Sequence, residues 1–448
     1  MKRTLVLMGL SALLGIGACS NFYSAPTNNS SSEEKEAAVP KEQARTNSKS
    51  VIPTETLQPQ PIRIQIQDLP PPFATKSASK PPQVSSIPEQ PTLKVPEGFT
   101  VNVFAEGLDR PRWLALTPSG DVLVTETRQN RIRLLKDTNN DGVADVSQVF
   151  ASAKNGLDIP FGMAFTEESF FLGNHNAVRR YSYEKGQEEL IGQGEKIADL
   201  PGGGYRQHWT RNVIVSPEEK KLFVSIGSRS NVSVEPLPRA SVQVMNFDGS
   251  NQETFAFGLR NPVGLDFHPE TKALYTTVNE RDGLGDNLVP DYFTRLQKGE
   301  FYGWPYAYLK PNLLDPRQTT ENGKSKNPEL AAKTRTPDVL FQSHSAALGL
   351  TFYTGNTFPE TYQNGAFVAF RGSWNRDRGT GYKLVFIPFN DQNRPQGDYE
   401  DFLTGFLTAP SIPRTWGRPV GLQVLPDGSL LFTEEANNRI YRIQYTGN

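Results

Sequence analysis

Four histidines, at positions 175, 208, 268 and 344, are the side chains of this 448-residue sequence whose ordinary titration lies near neutral pH. His208 stands in Gln207-His208-Trp209-Thr210-Arg211-Asn212, beside Gly202-Gly203-Gly204 and just ahead of an apolar strand pattern. An imidazole so placed can take a proton from a hydroxyl; read alone, it is either such a base or a hydrogen-bonding loop residue. His344, in Ser343-His344-Ser345, stands at the same place relative to the strand that follows it, and with Trp209 it is a candidate for contact with a substrate. His268, between Phe267 and Pro269 at a strand end, reads as structural.

Arginine recurs at that same place. It occurs as Arg112 in Arg110-Pro111-Arg112-Trp113, Arg260 in Leu259-Arg260-Asn261-Pro262, Arg376 in Gly372-Ser373-Trp374-Asn375-Arg376 and Arg418 in Trp416-Gly417-Arg418-Pro419. Guanidiniums brought together need an anion, because unpaired buried charge is costly. A planar ligand with several carboxylates suits them and the tryptophans beside them; the alternative is that each arginine pairs with an acid of its own repeat, with Glu280 and Asp282 at hand.

A third constellation, Asp137-Thr138-Asn139-Asn140-Asp141-Gly142-Val143-Ala144-Asp145, puts oxygen donors at loop positions 1, 3, 5 and 9 and a glycine at 6. That is calcium-loop spacing, with the Val143 carbonyl as a further ligand. Gln148 stands where an EF-hand has its bidentate glutamate, so the expectation is a weak, stiffening site built from Asp137, Asn139, Asp141, Val143 and Asp145. Asp/Asn/Gly clusters also make ordinary hairpins.

The elements that must position these groups are strands. From residue 93 onward a segment type recurs six times: an arginine, histidine or proline motif, an alternating apolar strand, a turn, and a second apolar strand. Examples are Asn261-Pro262-Val263-Gly264-Leu265-Asp266-Phe267 with Ala273-Leu274-Tyr275-Thr276, and Pro419-Val420-Gly421-Leu422-Gln423-Val424 with Leu430-Leu431-Phe432. About 355 residues over six copies give roughly 59 each, above the 40 to 50 of a four-stranded blade, and loops absorb the surplus, most of it between 281 and 342. The fold predicted is all-β, a six-bladed β-propeller over 93–448, because radial repetition removes long exposed edges and gathers loops at one end of a channel. Thr100-Val101-Asn102-Val103-Phe104 is expected to close the ring onto the last blade. Two stacked sandwiches are the alternative.

Composition narrows the function. With 47 Lys+Arg against 48 Asp+Glu and a net charge of −1, a polybasic nucleic-acid binder is excluded. The single cysteine, Cys19, excludes a disulfide framework. Residues 1–19 combine Lys2 and Arg3, an apolar run from Leu5 to Ile16, and Ile16-Gly17-Ala18-Cys19, which resembles a bacterial lipobox. The expectation is a lipoprotein signal peptide, export, and anchoring at a membrane through lipid on Cys19 alone. Residues 20–92 hold twelve prolines and three aromatics and are expected to be a disordered tether.

Taken in order, Arg260-Asn261-Pro262-Val263-Gly264, Asn279-Glu280-Arg281-Asp282-Gly283-Leu284-Gly285-Asp286, Tyr302-Gly303-Trp304-Pro305-Tyr306 and Gly372-Ser373-Trp374-Asn375-Arg376 resemble the signature blocks of the glucose/sorbosone dehydrogenase family. The resemblance runs from about Val95 to the end. It implies a secreted six-bladed propeller using pyrroloquinoline quinone and calcium, which oxidises a sugar hydroxyl and passes electrons to an acceptor the sequence does not name. It implies His208 as the base, Arg260 and Asn261 as a cofactor-facing pair, Arg418, Arg112 and Arg376 as further cofactor arginines, and a cofactor calcium near Glu280, Asp282 and Asp286. Arg281-Asp282-Gly283 replaces the Gln-Gly-Pro of the glucose-oxidising branch, which points to the sorbosone-like branch. Propellers also serve as binding modules or as calcium-dependent lactonases; the latter would need a carboxylate and asparagine cluster where this chain has arginine.

Overall fold

The computed structural model describes residues 51–203 and 208–447. The signal segment, Cys19 and Gln207 lie outside the described residues.

Alternation with period two makes the repeats into strands. Among the described residues, six antiparallel sheets of at least four strands form in sequence order, a β-propeller-like architecture. Their first strands are Leu114–Leu116, Met163–Phe165, Val213–Val215, Pro262–Phe267, Ala347–Phe352 and Pro419–Val424, and each touches the next, with the last touching the first. Three of these strands carry a glycine, Gly264, Gly349 and Gly421, and it has a packing reason. A Cβ on Gly349 would stand 2.3 Å from the Val420 carbonyl oxygen, and one on Gly421 would stand 2.4 Å from that of Arg112. At these positions only glycine lets the strand approach the backbone of its neighbour so closely.

The last sheet is completed from the front of the chain. Phe99–Ala105 pairs antiparallel with Arg439–Tyr445, as the sequence predicts. The long insertion between Tyr292–Arg295 and Val339–Leu340 carries a small hairpin, Ala307–Tyr308 with Lys310–Leu314, and the short helix Pro328–Ala331.

Residues 51–92 correct the expectation of a disordered tether. Val51–Ile52 pairs with Phe99–Ala105, Thr54–Thr56 with Leu93–Val95, Ile62–Arg63 with Asp398–Leu403, and Gln83–Val84 with Arg414–Thr415. Ile64, Ile66 and Leu69 pack on the core under Leu265, Leu288 and Tyr292. The prolines preset extended backbone and so lower the entropy lost on ordering, which makes a few anchors sufficient.

At the axis, Trp113, Phe161, Val263, Leu348 and Val420 are buried together with Trp209 packed against them, one side chain from the entry of each sheet. This apolar plug fills the channel and becomes the floor of what lies above it.

Candidate functional site

Arg112 and His208 stand immediately before the plug residues Trp113 and Trp209, and Arg260, Asn261 and His344 stand two to four residues before Val263 and Leu348, so the approach of each chain segment to the axis carries these side chains to one place. A cavity of 310 Å³ is lined there by Arg112, His208, Trp209, Arg260, Asn261 and His344, together with Thr210, Glu280, Asp282, Asp291, Arg371, Trp374 and Asn375.

His208 lines it in a defined tautomer. Its Nδ1 lies 2.9 Å from the Ser228 carbonyl oxygen. A carbonyl only accepts, so the proton sits on Nδ1 and Nε2 keeps its lone pair. Burial, then the positive charge of Arg260, holds the imidazole well below the ordinary histidine value, outweighing the Ser228 carbonyl. The ring is therefore neutral at pH 7 and able to take a proton. His344 differs: Nε2 faces the Gly285 carbonyl oxygen at 3.1 Å and Nδ1 receives the Asn375 amide at 3.1 Å. With both nitrogens engaged, His344 positions its neighbours.

The arginines divide into two groups. Arg260 donates from Nη2 to Asp282 Oδ2 at 3.1 Å and to Asn231 Oδ1 at 3.0 Å. Across the cavity, Arg112 and Arg371 share the carboxylate of Glu435, and Arg418 Nη1 stands 3.7 Å from it. Burial alone would raise the Glu435 carboxyl, but Arg371, Arg112 and Arg418 hold it well below the usual range. Of these guanidiniums Arg112 and Arg371 line the cavity, while Glu280, Asp282 and Asp291 line it too, so an anionic guest is favoured on the side of Arg112 and Arg371. Arg112 also stacks over Trp209 at 5.2 Å.

Several sequence expectations need correction. Arg418 does not line the cavity: it is buried beneath the rim, where its guanidinium donates to the carbonyl oxygens of Arg371 and Gly372. Arg376 is outside too, bonded to the Asp286 carbonyl oxygen and Asn287 Oδ1. Arg371 and Glu435 were missed because neither stands at the repeated position before a first strand; Arg371 ends Gly365–Phe370 and Glu435 ends Leu430–Glu434. A charged residue following the second strand of a repeat was the available signal. His268 is structural as expected: its Nδ1 accepts the N–H groups of Glu270 and Thr271.

The carboxylates proposed as calcium ligands are each engaged through at least one oxygen, while Glu280 Oε1 and Asp286 Oδ1 have no hydrogen-bond partner among the described residues. Glu280 Oε2 accepts from Arg281 Nε at 2.9 Å, Asp282 serves Arg260 and Asn375, and Asp286, outside the cavity, accepts the Asp377 N–H at 3.2 Å. In the other loop, Asp137 accepts the N–H groups of Asp141 and Gly142, Asn139 that of Asp141, Asp141 that of Val143, and Asp145 that of Thr138. Among the described residues no group of three or more His, Cys, Asp or Glu side chains is arranged to hold a metal ion, so neither loop fits calcium through side chains as it stands.

The fit to a planar guest that carries both carboxylates and hydrogen-bond donors is better. Asn261 Oδ1, Thr210 Oγ1 and Glu280 Oε1 are buried in the cavity lining without a hydrogen-bond partner among the described residues, beside Arg112, Arg260 and Arg371. Buried polar atoms without partners are costly, and donors on a guest would satisfy these acceptors.

The sequence matches the TrAA12-like family over residues 93–446. The chain belongs to the TrAA12-like family. An uncharacterised protein of Borreliella burgdorferi is 31% identical over 366 residues, spanning 79% of this chain and 91% of its own length. A pyrroloquinoline quinone-dependent pyranose dehydrogenase of Coprinopsis cinerea is 26% identical over 340 residues, 66% of this chain and 45% of that protein. In three dimensions this TrAA12-like chain is similar to the quinone domain of the Coprinopsis cinerea pyranose dehydrogenase, with a TM-score of 0.65 at 20% identity, covering 81% of this chain and 99% of that one. A Trichoderma reesei enzyme of carbohydrate-active family AA12 gives 0.67 at 18%, with 81% and 99% covered. At such identities the likeness speaks for the fold.

Proposed function

We propose that the chain is a six-bladed propeller oxidoreductase that removes a hydride from a sugar carbon and the proton from its hydroxyl, with pyrroloquinoline quinone as the hydride acceptor. The observation that carries the reading is a neutral histidine, its Nδ1 fixed on a carbonyl, in a cavity walled by arginines. Relatives named as quinone-dependent sugar dehydrogenases support the cofactor and the substrate class. Arg112, Arg260 and Arg371 would bind the quinone's carboxylates in charge-assisted pairs, and Asn261 Oδ1 would take a donor. When bound, the quinone supplies the site that accepts hydride from the sugar carbon. The hydroxyl proton goes to His208 Nε2, and Ser228 holds the ring oriented while its charge changes. The apolar plug, with Trp209 packed against it, closes the cavity from below and keeps water from the reacting carbon.

The substrate expected is an aldose or sorbosone-like sugar. We also propose export and anchoring through lipid on Cys19, which Cys19→Ser tests: the protein should move from the membrane to the soluble fraction, and unchanged membrane association would reject the anchor.

The decisive experiment titrates purified protein with the quinone, with and without calcium, then follows dye reduction with a panel of aldoses. His208→Gln should keep quinone affinity but lose kcat by about 10²–10⁴-fold. Wild-type turnover in that variant would remove His208 from the mechanism, and a wild type that binds no quinone would leave a binding propeller instead.

A further inference from the structure

Residues 73–80 lie outside the family match, which begins at 93, yet they are bonded to both loops that wall the cavity. On one side the Leu284 carbonyl accepts the Phe73 N–H at 2.8 Å, Thr75 Oγ1 accepts the Asp286 N–H at 2.8 Å, and Ser77 Oγ accepts the Gly285 N–H at 3.1 Å. On the other, the Trp374 carbonyl accepts the Lys80 N–H at 2.7 Å, and Lys80 Nζ reaches Asp377 Oδ1 at 2.6 Å. The fit is close. Gly285 has φ +113°, and a Cβ there would meet Thr75 Oγ1 at 2.9 Å.

From this contact a chain of hydrogen bonds runs inward. The Gly285 carbonyl accepts His344 Nε2–H, His344 Nδ1 accepts from Asn375, Asn375 also donates to Asp282, and Asp282 accepts from Arg260. Each member has its partners fixed by the one before, so the position of 284–286 is read at Arg260.

We infer that residues 73–80 are a strap that sets the geometry of the cavity, with Thr75 and Ser77 as positioning residues for Asp282 and Arg260. The inference rests on the quinone reading for its functional consequence, but the structural coupling stands apart from it. A segment bonded to both the 284–286 and the 374–377 stretches also limits how far these two separate, so it bears on the size of sugar admitted beside Trp374, which is 46% exposed and lines the cavity.

The test uses the full chain with Thr75→Val/Ser77→Ala, the hydroxyl-retaining Thr75→Ser/Ser77→Thr, and Arg63→Ala as a control. Arg63 fastens the same N-terminal segment to Asp398. Amide exchange is measured at Gly285, Asp286 and Asp282; the last donates to Asn231 Oδ1 and touches no strap residue. In Thr75→Val/Ser77→Ala, exchange at Gly285 and Asp286 should rise about tenfold and at Asp282 about threefold. Quinone Kd should rise about threefold to tenfold, and the sugar KM should rise while kcat stays within about twofold. The hydroxyl-retaining variant should restore all of these, and Arg63→Ala should change none. Unchanged exchange at Asp282, or unchanged Kd and KM despite faster exchange, would overturn the strap. A wild type that binds no quinone would count against the function alone, since exchange at Asp282 still decides the strap.

Discussion

Two acidic loops of similar composition have opposite uses in this molecule. The loop 137–145 turns most of its carboxylate contacts onto its own backbone: Asp137, Asn139, Asp141 and Asp145 accept N–H groups within a span of nine residues, and Asp137 alone also reaches out, to Arg442 Nη1 at 3.5 Å. The loop 280–286 sends its carboxylates elsewhere, Asp282 to Arg260 at the head of the fourth sheet and to Asn375 after the second strand of the fifth. Glu435 belongs with the second kind, because it gathers Arg112, Arg371 and Arg418 from three different sheets. An acid that serves its own turn shapes that turn; an acid that reaches across the ring fixes the relation between sheets, and the cavity is made of such relations.

The sharpest test of this contrast is Glu435→Gln. Removing the charge leaves the buried Arg112 and the partly buried Arg371 and Arg418 without a carboxylate, a loss of up to about 3–5 kcal/mol by analogy with broken buried pairs, read by urea unfolding. The sign with pH follows from the lowered carboxyl of the native state. Its contribution is present above the unfolded value of about 4.3 and is lost as pH falls toward the native value. The gap between wild type and Glu435→Gln should therefore be full at pH 7 and narrow below about pH 4. A gap independent of pH would mean that packing, not charge, carries the effect.

A smaller effect is expected from Asp282→Asn, which keeps the shape but removes the charge facing Arg260. Stability should fall by less than in Glu435→Gln, since Asp282 is partly exposed. With its acid removed, Arg260 is freer to pair with an anion, so quinone Kd should change by no more than about tenfold in either direction while kcat falls through loss of Arg260 orientation. Calorimetric titration with the quinone reads the first and dye reduction the second. A hundredfold loss of affinity would instead make Asp282 a direct ligand.

The smallest effect should come from Asp141→Ala. The loop loses one N–H acceptor in exposed surroundings, so Tm should fall by no more than about 2 °C, with quinone affinity unchanged. Tm measured with and without calcium tests the sequence expectation directly. A calcium-dependent rise in wild type that Asp141→Ala abolishes would show that the loop rearranges around an ion.

How far the sequence reached follows the same division. Repeated local patterns were legible: the period-two strands, and the recurring position that put Arg112, His208, Arg260 and His344 around one cavity. Closure of the last sheet by 99–105 was legible because an unpaired alternating strand stood ahead of the first repeat. What could not be read was anything decided by contacts between distant segments. Arg376 and Arg418 have the same local setting as Arg260, and only the tertiary partners, Asp286 with Asn287 for one and the Arg371–Gly372 carbonyls for the other, turn them from the cavity. The 51–92 segment was misjudged for a related reason. Its low apolar content is real, but Ile62, Ile64, Ile66 and Leu69 find preformed apolar ground on the sheets, so the segment need not bury a core of its own.

The pairing of Phe99–Ala105 with Arg439–Tyr445 also sets a schedule. While the polypeptide is being made, the first of these strands is finished more than three hundred residues before its partner exists, and for that interval its edge has nothing to zip against. Each intermediate length of chain is an open crescent with two raw ends, and only the final stretch turns the crescent into a circle. The ring therefore gains its full cooperativity only once residues 439–445 have been made, and until then the earlier sheets form an unclosed arc.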